Sequence, residues 1–265
     1  MIPPEPRDGS PDGAPMTARS VLASTLLGMD PPELPVAQLV AVAALFGIGE
    51  NRARVALTRM VKAGEATAVD GRYRLTGRLA ERGRRQRESR RGAGTGATRW
   101  TGDWTVLVFD GERRSASERA EHRRALMAAR LAELREGVWM RPANLELALP
   151  AALTDRAHRL VSRPERPATL AAQLWPLADW AARSSALLAR LDAEPPHADA
   201  LANGFVLSAA VLRHLQADPL LPGALLPGGW PGRELRARYD AWDTRYRELL
   251  ADWHRAWPAP RTPAG

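Results

Sequence analysis

The chain has no cysteine, five histidines and a single lysine, Lys62, among its 265 residues. The absence of cysteine excludes disulfides and thiolate-based zinc sites, and the histidines are scattered rather than paired at metal-ligand spacing. Long apolar runs are also missing, because none approaches the roughly 20 residues needed to cross a bilayer. The first sixteen residues lack the charged and apolar blocks of a signal peptide. We therefore expect a cytoplasmic protein with no membrane partner, no bound metal and no cofactor.

Positive charge is concentrated in one segment of the chain. Residues 50–99 carry 14 basic side chains against 5 acidic ones, a surplus of nine, whereas all other residues together carry 24 basic and 25 acidic side chains. A genome-wide bias toward arginine would be spread along the chain, so composition alone does not explain this surplus. Local positive charge of this kind predicts a site for a polyanion.

Three predicted helices precede this charged segment or lie within it. Apolar periodicity places the first at Ala18–Met29 and the second, almost entirely apolar, at Pro35–Phe46. The third runs from about Glu50 to Ala63 and ends before Gly64, a residue type favoured just after a helix. A short glycine-containing turn joins the second helix to the third, as in a helix-turn-helix.

A β-hairpin is predicted immediately after the third helix. The dipeptide Asp70-Gly71 is among the strongest short hairpin signals, and it separates strands near Glu65–Val69 and Arg72–Leu75. Side chains alternate along a strand, so Arg72 and Arg74 share the outward side. Helix, turn, helix and hairpin in this order predict a winged helix-turn-helix domain, whose third helix enters a DNA groove.

The side of the third helix opposite its apolar seam is the candidate recognition face. Arginine and asparagine on such a face can make bidentate contacts to guanine or adenine, while the hairpin arginines would touch phosphate. An ordinary solvated helix surface is the alternative, and Arg59 has the further alternative of pairing with Glu50 or Glu65. The candidate DNA-binding residues are Asn51, Arg52, Arg54, Val55, Thr58, Arg59, Lys62, Arg72 and Arg74.

Six arginines lie between Arg82 and Arg91. We interpret this run as a source of nonspecific phosphate attraction, which would make DNA affinity strongly dependent on salt. The alternative is a solvated helix or linker surface. The candidate phosphate contacts are Arg82, Arg84 and Arg85.

A second region begins at Trp100. It contains a buried strand at Asp103–Phe109, a helix capped by Ser115 or Ser117 and reaching about Glu136, and a strand at Gly137–Arg141. Residues 158–162 are a candidate further strand. The β-α-β pattern predicts a small α+β domain of ferredoxin-like type.

The remaining region is predicted to be helical, except for a loop rich in Pro and Gly at 218–232. A stripe of Tyr239, Trp242, Tyr246 and Trp253 on its last helix is interpreted as helix core or dimer interface. The fold class predicted for the chain is α+β multidomain. Its predicted parts are a disordered tail at 1–16, the winged domain at 17–91, a linker at 92–99, the α+β domain at 100–167, the helical domain at 168–258 and a disordered tail at 259–265.

Four segments together resemble the PaaX-like regulators, the family of the phenylacetic acid degradation repressor. They are FGIGENRARVALTRMVKAG at 46–64, WTGDWTVLVFD at 100–110, LAELREGVWMRPANL at 131–145 and DPLLPGALLPGGWPG at 218–232. The last two are the more specific, since winged helices occur in many regulator families. The resemblance extends over nearly all of the chain after residue 17, and the sequence departs from the family pattern after Asn144.

The resemblance implies a homodimeric transcriptional repressor that binds double-stranded DNA. It also implies a central Cas2-like domain and a C-terminal domain for dimerisation or effector binding. In the namesake members the inducer is phenylacetyl-coenzyme A, so an acyl-coenzyme A is the expected effector. Arginine is a natural partner for its phosphates, although packing and surface salt bridges are the alternative role of each candidate. The candidate effector-binding residues are Trp139, Arg141, Trp175, Arg213 and His214.

Asp110 ends the first strand of the Cas2-like region, where an aspartate of the related nucleases can hold a metal. A hydrolytic site needs several carboxylates brought together around the metal, and Asp110 is followed by Gly111 and Glu112, which favours a turn. We therefore expect no enzymatic activity. A Cas2-like metal-dependent nuclease and an effector-independent nucleic-acid-binding protein remain the two alternative functions.

Overall fold

The computed structural model describes residues 16–92, 99–110 and 115–256. Most of the predicted tails at 1–16 and 259–265 and of the predicted linker at 92–99 lies outside these residues. The elements are α1 (Ala18–Leu27), β1 (Glu33–Pro35), α2 (Val36–Ala44), α3 (Glu50–Lys62), β2 (Ala66–Val69), β3 (Arg72–Leu75), α4 (Gly77–Arg91), β4 (Trp104–Phe109), α5 (Ala116–Ala128), β5 (Ala132–Arg135), β6 (Val138–Pro142), α6 (Ala151–Thr154), β7 (Ala157–Ser162), α7 (Pro167–Leu174), α8 (Leu177–Ala193), α9 (Leu201–Gln216) and α10 (Gly232–Ala256).

These elements form two compact units. Within the described residues, unit 1 takes in 16–87, 190–213 and 238–256, and unit 2 takes in 88–189 and 214–237. Each unit holds one antiparallel sheet with helices packed against it. The α+β class predicted from the sequence is therefore observed.

Unit 1 is built on α1, α2 and α3. Their apolar stripes meet in one core, because the buried residues recur at helical spacing on each element. The third predicted helix is confirmed. Of the apolar seam that its spacing predicts, Ala53, Ala56, Leu57 and Met60 are buried, whereas Val61 is exposed. The other large members of the core are Val21, Leu22, Leu26, Leu27, Leu34, Leu39, Val42, Ile48 and Leu75.

The predicted hairpin is also confirmed. Strands β2 and β3 pair in antiparallel register with Ala68 opposite Tyr73, and Asp70 and Gly71 between them both have positive φ. Two successive residues with positive φ are what a type I′ turn requires. The sequence pattern did not predict β1, a three-residue strand that follows Pro32 and ends in Pro35, and that pairs with the other side of β3.

The aromatic stripe on α10 belongs to the interior of unit 1. Tyr239, Trp242 and Tyr246 are buried and stacked in series, with ring centroids 6.4 and 5.2 Å apart. The Tyr246 hydroxyl donates to the Leu201 carbonyl over 2.9 Å. Of the two predicted roles, helix core is therefore correct for these three residues, since rings buried within the chain cannot form a dimer surface.

The sheet of unit 2 has the order β5-β6-β4-β7, with every neighbouring pair antiparallel. Its chain order is β-α-β-β-α-β, so the topology is that of a ferredoxin-like split βαβ fold. One face carries Leu107, Phe109 and Trp139 against α5. Trp104 and Met140 on the other face pack with residues of α7 and of the 218–232 loop.

The predicted helix from Ser115 to about Glu136 is wrong after Ala128. Ser115 and Glu118 do form a capping box at its start, but Arg130 adopts a positive φ and the next residues form β5. Leu, Ala, Glu and Arg favour a helix locally. Pairing of β5 with β6 overrides that preference, because Gly137, at φ 76°, turns the chain back between the two strands.

Candidate nucleic-acid interface

Helix α3 presents the predicted recognition face to solvent. It begins after Gly49, which has the extended backbone of an N-cap, and its four buried residues anchor one side to the core of unit 1. The opposite side is exposed at every predicted position, namely Asn51, Arg52, Arg54, Val55, Thr58, Arg59 and Lys62. The exposed Val55 adds an apolar group among these polar and charged side chains, suited to a thymine methyl.

Two residues of this face have contacts within the helix. Arg54 Nε donates to Glu50 Oε1 over 2.7 Å, and Thr58 Oγ1 donates to the Arg54 carbonyl over 3.1 Å. The Arg54–Glu50 pair is exposed, so water screens it and its contribution to stability is small. The Arg54 guanidinium can therefore leave Glu50 and bind a DNA base at little cost in free energy.

The two acids predicted as alternative partners of Arg59, Glu50 and Glu65, each pair with another arginine. Glu50 pairs with Arg54, and Glu65 accepts from Arg19 Nε over 2.9 Å. Arg59 instead lies exposed with Lys62 in the last turn of α3, where the helix dipole favours positive charge. Both cations are thus presented to solvent by the end of this helix.

The hairpin arginines Arg72 and Arg74 share a partner that the sequence analysis did not identify. Both guanidiniums donate to the carboxylate of Glu33 on β1, from Arg72 Nε over 2.5 Å and from Arg74 Nε over 2.6 Å. These hydrogen bonds lower the pKa of Glu33, and the bond from Arg72 has the larger effect. Glu33 lies 39 and 41 residues away in sequence, so no local pattern reveals the pairing.

The arginine run forms helix α4, one side of which is buried. Gln86 Nε2 donates to the Leu27 carbonyl over 3.4 Å, and Arg87 lies 3.7 Å from a carboxylate oxygen of Asp30. Of the predicted phosphate contacts, Arg84 is exposed, whereas Arg82 and Arg85 are half-buried. Arg84 is therefore the member of this set best placed for a polyanion.

Arg141, a predicted effector contact, is a buried cation in unit 2. It donates to the carbonyls of Ala129 and Pro142 and to Asn144 Oδ1, at 3.1, 3.2 and 3.1 Å. Burial lowers the pKa of Arg141 to about 10, with a smaller contribution from the positive charge of Arg130. Ala129 is the C-cap of α5, so Arg141 meets the negative end of that helix dipole.

The other predicted effector residues are dispersed over the two units. Trp139 and Trp175 pack into different hydrophobic clusters of unit 2, and Arg213 is an exposed residue of unit 1. His214 stacks on Trp180 with centroids 4.5 Å apart, and its Nε2 lies 2.7 Å from Ser184 Oγ. Burial lowers the pKa of His214. Trp139, Trp175 and His214 therefore have packing roles in unit 2.

Two of the segments that carry the family resemblance meet within unit 2. Asn144 Nδ2 donates to the Leu220 carbonyl over 2.9 Å, and Asp218 forms a buried ion pair with Arg236 at 2.8 Å. Arg130 donates to Ser89 Oγ over 2.7 Å and also to the Asp218 carbonyl. The two motifs were evident from the sequence, but their contact joins positions 76 residues apart.

Asp110 is exposed at the end of β4, with a carboxylate oxygen 3.9 Å from His158 Nε2. Over residues 16–92, 99–110 and 115–256, no group of three or more His, Cys, Asp or Glu side chains is arranged to hold a metal. Gly111 and Glu112, which favour a turn after Asp110, lie outside the described residues. Nor does any helix in the described part of the chain have both the length and the apolar character needed to cross a membrane.

Two family models match the chain. The one described as PaaX-like protein matches residues 17–83, and the one described as PaaX protein central Cas2-like domain matches residues 97–163. Among curated proteins there is no match. Among solved structures, the uncharacterized protein Rv0674 from Mycobacterium tuberculosis is similar at 41% identity and a TM-score of 0.70, over 90% of this chain and 99% of that one.

Proposed function

This chain belongs to the PaaX-like protein family, and we propose that it is a DNA-binding transcriptional repressor of a catabolic operon. In this proposal α1 to α3 and the β2–β3 hairpin act as a winged helix-turn-helix. Helix α3 enters the major groove and the hairpin contacts the DNA backbone. The protein has no enzymatic activity in its own right.

The observation that carries the proposal is the combination of an exposed basic helix face with an outward pair of arginines on the adjoining hairpin. Base-edge contacts from α3 supply specificity, at about 1–3 kcal/mol for each bidentate pair. Arg72 and Arg74 bind phosphate, which positions the protein without reading sequence. The local charge surplus at 50–99 supports the same assignment.

Repression and its release require two further properties, both of which belong to the proposal. The protein acts as a homodimer, so that two α3 helices reach successive major grooves of one operator. An acyl-coenzyme A such as phenylacetyl-coenzyme A is the proposed effector. It releases the operator only because it binds the two conformations of the dimer with different affinity.

The deciding experiment is sequencing of the DNA that the protein binds, followed by band-shift titrations on one such site and on a random duplex. We expect a few palindromic sites near catabolic genes. Arg54→Ala should abolish the preference for the operator, whereas Arg72→Ala should weaken binding to both duplexes alike. Unchanged selectivity in Arg54→Ala would remove α3 from the recognition role.

The same titrations separate the competing functions. Broad, sequence-independent coverage of the bound DNA would favour an architectural role, and failure of phenylacetyl-coenzyme A to change operator affinity would exclude it as the effector. The position of Asp110 at the end of β4 in the Cas2-like domain favours a nuclease as the second candidate. Cleavage with Mg²⁺ that Asp110→Ala removes would establish that activity and contradict our proposal.

A further inference from the structure

Glu33 connects the two hairpin arginines through one carboxylate. β1 pairs with β3 so that Glu33 lies opposite Arg74 and Pro35 opposite Arg72. Arg72 Nε donates to one carboxylate oxygen over 2.5 Å, and Arg74 Nε donates to the other over 2.6 Å. A terminal nitrogen of Arg74 also contacts that second oxygen. Each oxygen of Glu33 thus holds one guanidinium.

The exposures of these side chains differ in a way that bears on DNA binding. Glu33 is 15% exposed, while Arg72 and Arg74 remain 49% and 63% exposed. The carboxylate therefore lies beneath two guanidiniums that still face solvent. The three side chains together carry a net charge of +1 rather than +2, so the hairpin attracts a polyanion less strongly than its two arginines imply.

We propose that Glu33 is a specificity-determining residue of the DNA-binding surface. It cancels one unit of the charge of Arg72 and Arg74, which weakens binding to any duplex. It also fixes both guanidiniums in place, which assists binding only where the base contacts of α3 hold the hairpin in one register on the operator. Its net effect is therefore to lower affinity for random DNA more than affinity for the operator. Binding to random DNA is almost wholly electrostatic, whereas operator binding adds base contacts, here those of α3. This inference rests on the proposed function, because it assumes that the hairpin touches DNA.

The molecule offers a matched control for this inference. Glu65 is also an acid of unit 1 paired with an arginine, since it accepts from Arg19 Nε over 2.9 Å. Glu33→Gln and Glu65→Gln each remove one negative charge, the first from two acid–arginine pairs and the second from one. Only Glu33 restrains hairpin arginines, so a difference between the two variants reports on the hairpin rather than on net charge.

The experiment measures affinities of the full chain for an operator duplex and a random duplex at several salt concentrations. For Glu33→Gln we expect random-duplex affinity to rise about three- to tenfold and the slope of log K against log salt to steepen by about one. Operator affinity should change by less than about twofold, so the specificity ratio falls. Glu65→Gln should leave the ratio near that of the unsubstituted chain.

Two further variants secure the interpretation. Glu33→Thr removes the charge with a strand-forming side chain and should reproduce the effect, which covers the case in which Glu33→Gln fails to fold. Glu33→Asp keeps the charge and should retain the original specificity ratio. Circular dichroism and thermal melting verify the fold of each variant.

Equal effects of Glu33→Gln and Glu65→Gln would overturn the inference, because net charge alone would then explain them. A parallel loss of affinity for both duplexes in Glu33→Gln or Glu33→Thr would also overturn it, since Glu33 would then only support the hairpin. Either result leaves operator binding by the unsubstituted chain intact. Failure of that chain to prefer any DNA site would instead be a failure of the proposed function.

Discussion

The ion pairs of this protein differ mainly in how far they are removed from water. Asp218 and Arg236 in unit 2 are 3% and 13% exposed, whereas Asp192 and Arg238 in unit 1 are each about half exposed at a similar separation of 2.9 Å. Removing one partner of a buried pair leaves an uncompensated charge, which is far more costly than losing a screened surface pair. The arginine-rich composition alone does not separate these two situations.

We predict that Asp218→Asn lowers the free energy of unfolding by about 3 kcal/mol, because Arg236 would then be left with a buried, unpaired charge. Asp192→Asn, the control at an exposed pair, should change it by less than about 1 kcal/mol. Urea unfolding followed by circular dichroism measures both. Equal effects of the two substitutions would show that burial does not determine the contribution of these pairs.

The burial of individual residues can be predicted from the sequence where the relevant apolar spacing lies within one helix. The periodicity of α3 predicts a buried seam of Ala53, Ala56, Leu57, Met60 and Val61, and the structure buries all of them except Val61 in the last turn. The contacts of Glu33 could not be predicted in this way, because they depend on a three-residue strand, ending in Pro35, that pairs with a distant hairpin. Likewise, the role of Arg141 at the end of α5 depends on how two separate elements pack.

At the scale of elements, the predictable ones carry their own start and stop signals. The hairpin is specified by Asp70-Gly71, and the start of α5 by the capping box of Ser115 and Glu118. The end of α5 carries no such signal, since residues 129–136 favour a helix by composition. Strand β5 forms there because pairing with β6 is non-local, and helix propensity does not report on it.

The hairpin gives a prediction for a whole element. Gly71 has a φ of 71° and no atom within 4 Å of an added Cβ, so Gly71→Ala is opposed by backbone strain rather than by a clash. We expect a loss of about 1 kcal/mol in stability. Binding to operator and to random duplexes should weaken alike, because the turn positions Arg72 and Arg74. Thermal melting and band-shift titration measure the two effects.

Gly228→Ala is the control for that substitution. Gly228 also has open space around an added Cβ, but its φ is not in the left-handed region. Stability and DNA affinity should therefore stay close to those of the unsubstituted chain. A comparable loss in both variants would show that glycine flexibility in general, rather than the turn geometry of the hairpin, accounts for the result.

At the scale of the whole molecule, each compact unit combines stretches that are far apart in the sequence. Unit 1 gathers residues from three stretches, and helices α8, α9 and α10 contribute residues to both units. Periodicity identifies these helices but cannot assign their parts to different cores, because that assignment depends on contacts between distant residues. The charge distribution, by contrast, is a property of the sequence itself, and it placed the candidate interface at 50–99.

The proposed homodimer makes a prediction about the operator as a whole. Two α3 helices related by two-fold symmetry would require half-sites separated by about one helical turn, 10–10.5 bp, or a multiple of it. Inserting 5 bp between the half-sites turns one of them to the opposite side of the duplex, so we expect affinity to fall at least about tenfold toward its nonspecific level.

Replacing five central base pairs without changing the length of the operator is the control, and it should lower affinity far less. Band-shift titration, with sedimentation analysis of the free protein, measures these outcomes. A monomer in sedimentation whose operator affinity is unaffected by the insertion would exclude the dimeric arrangement.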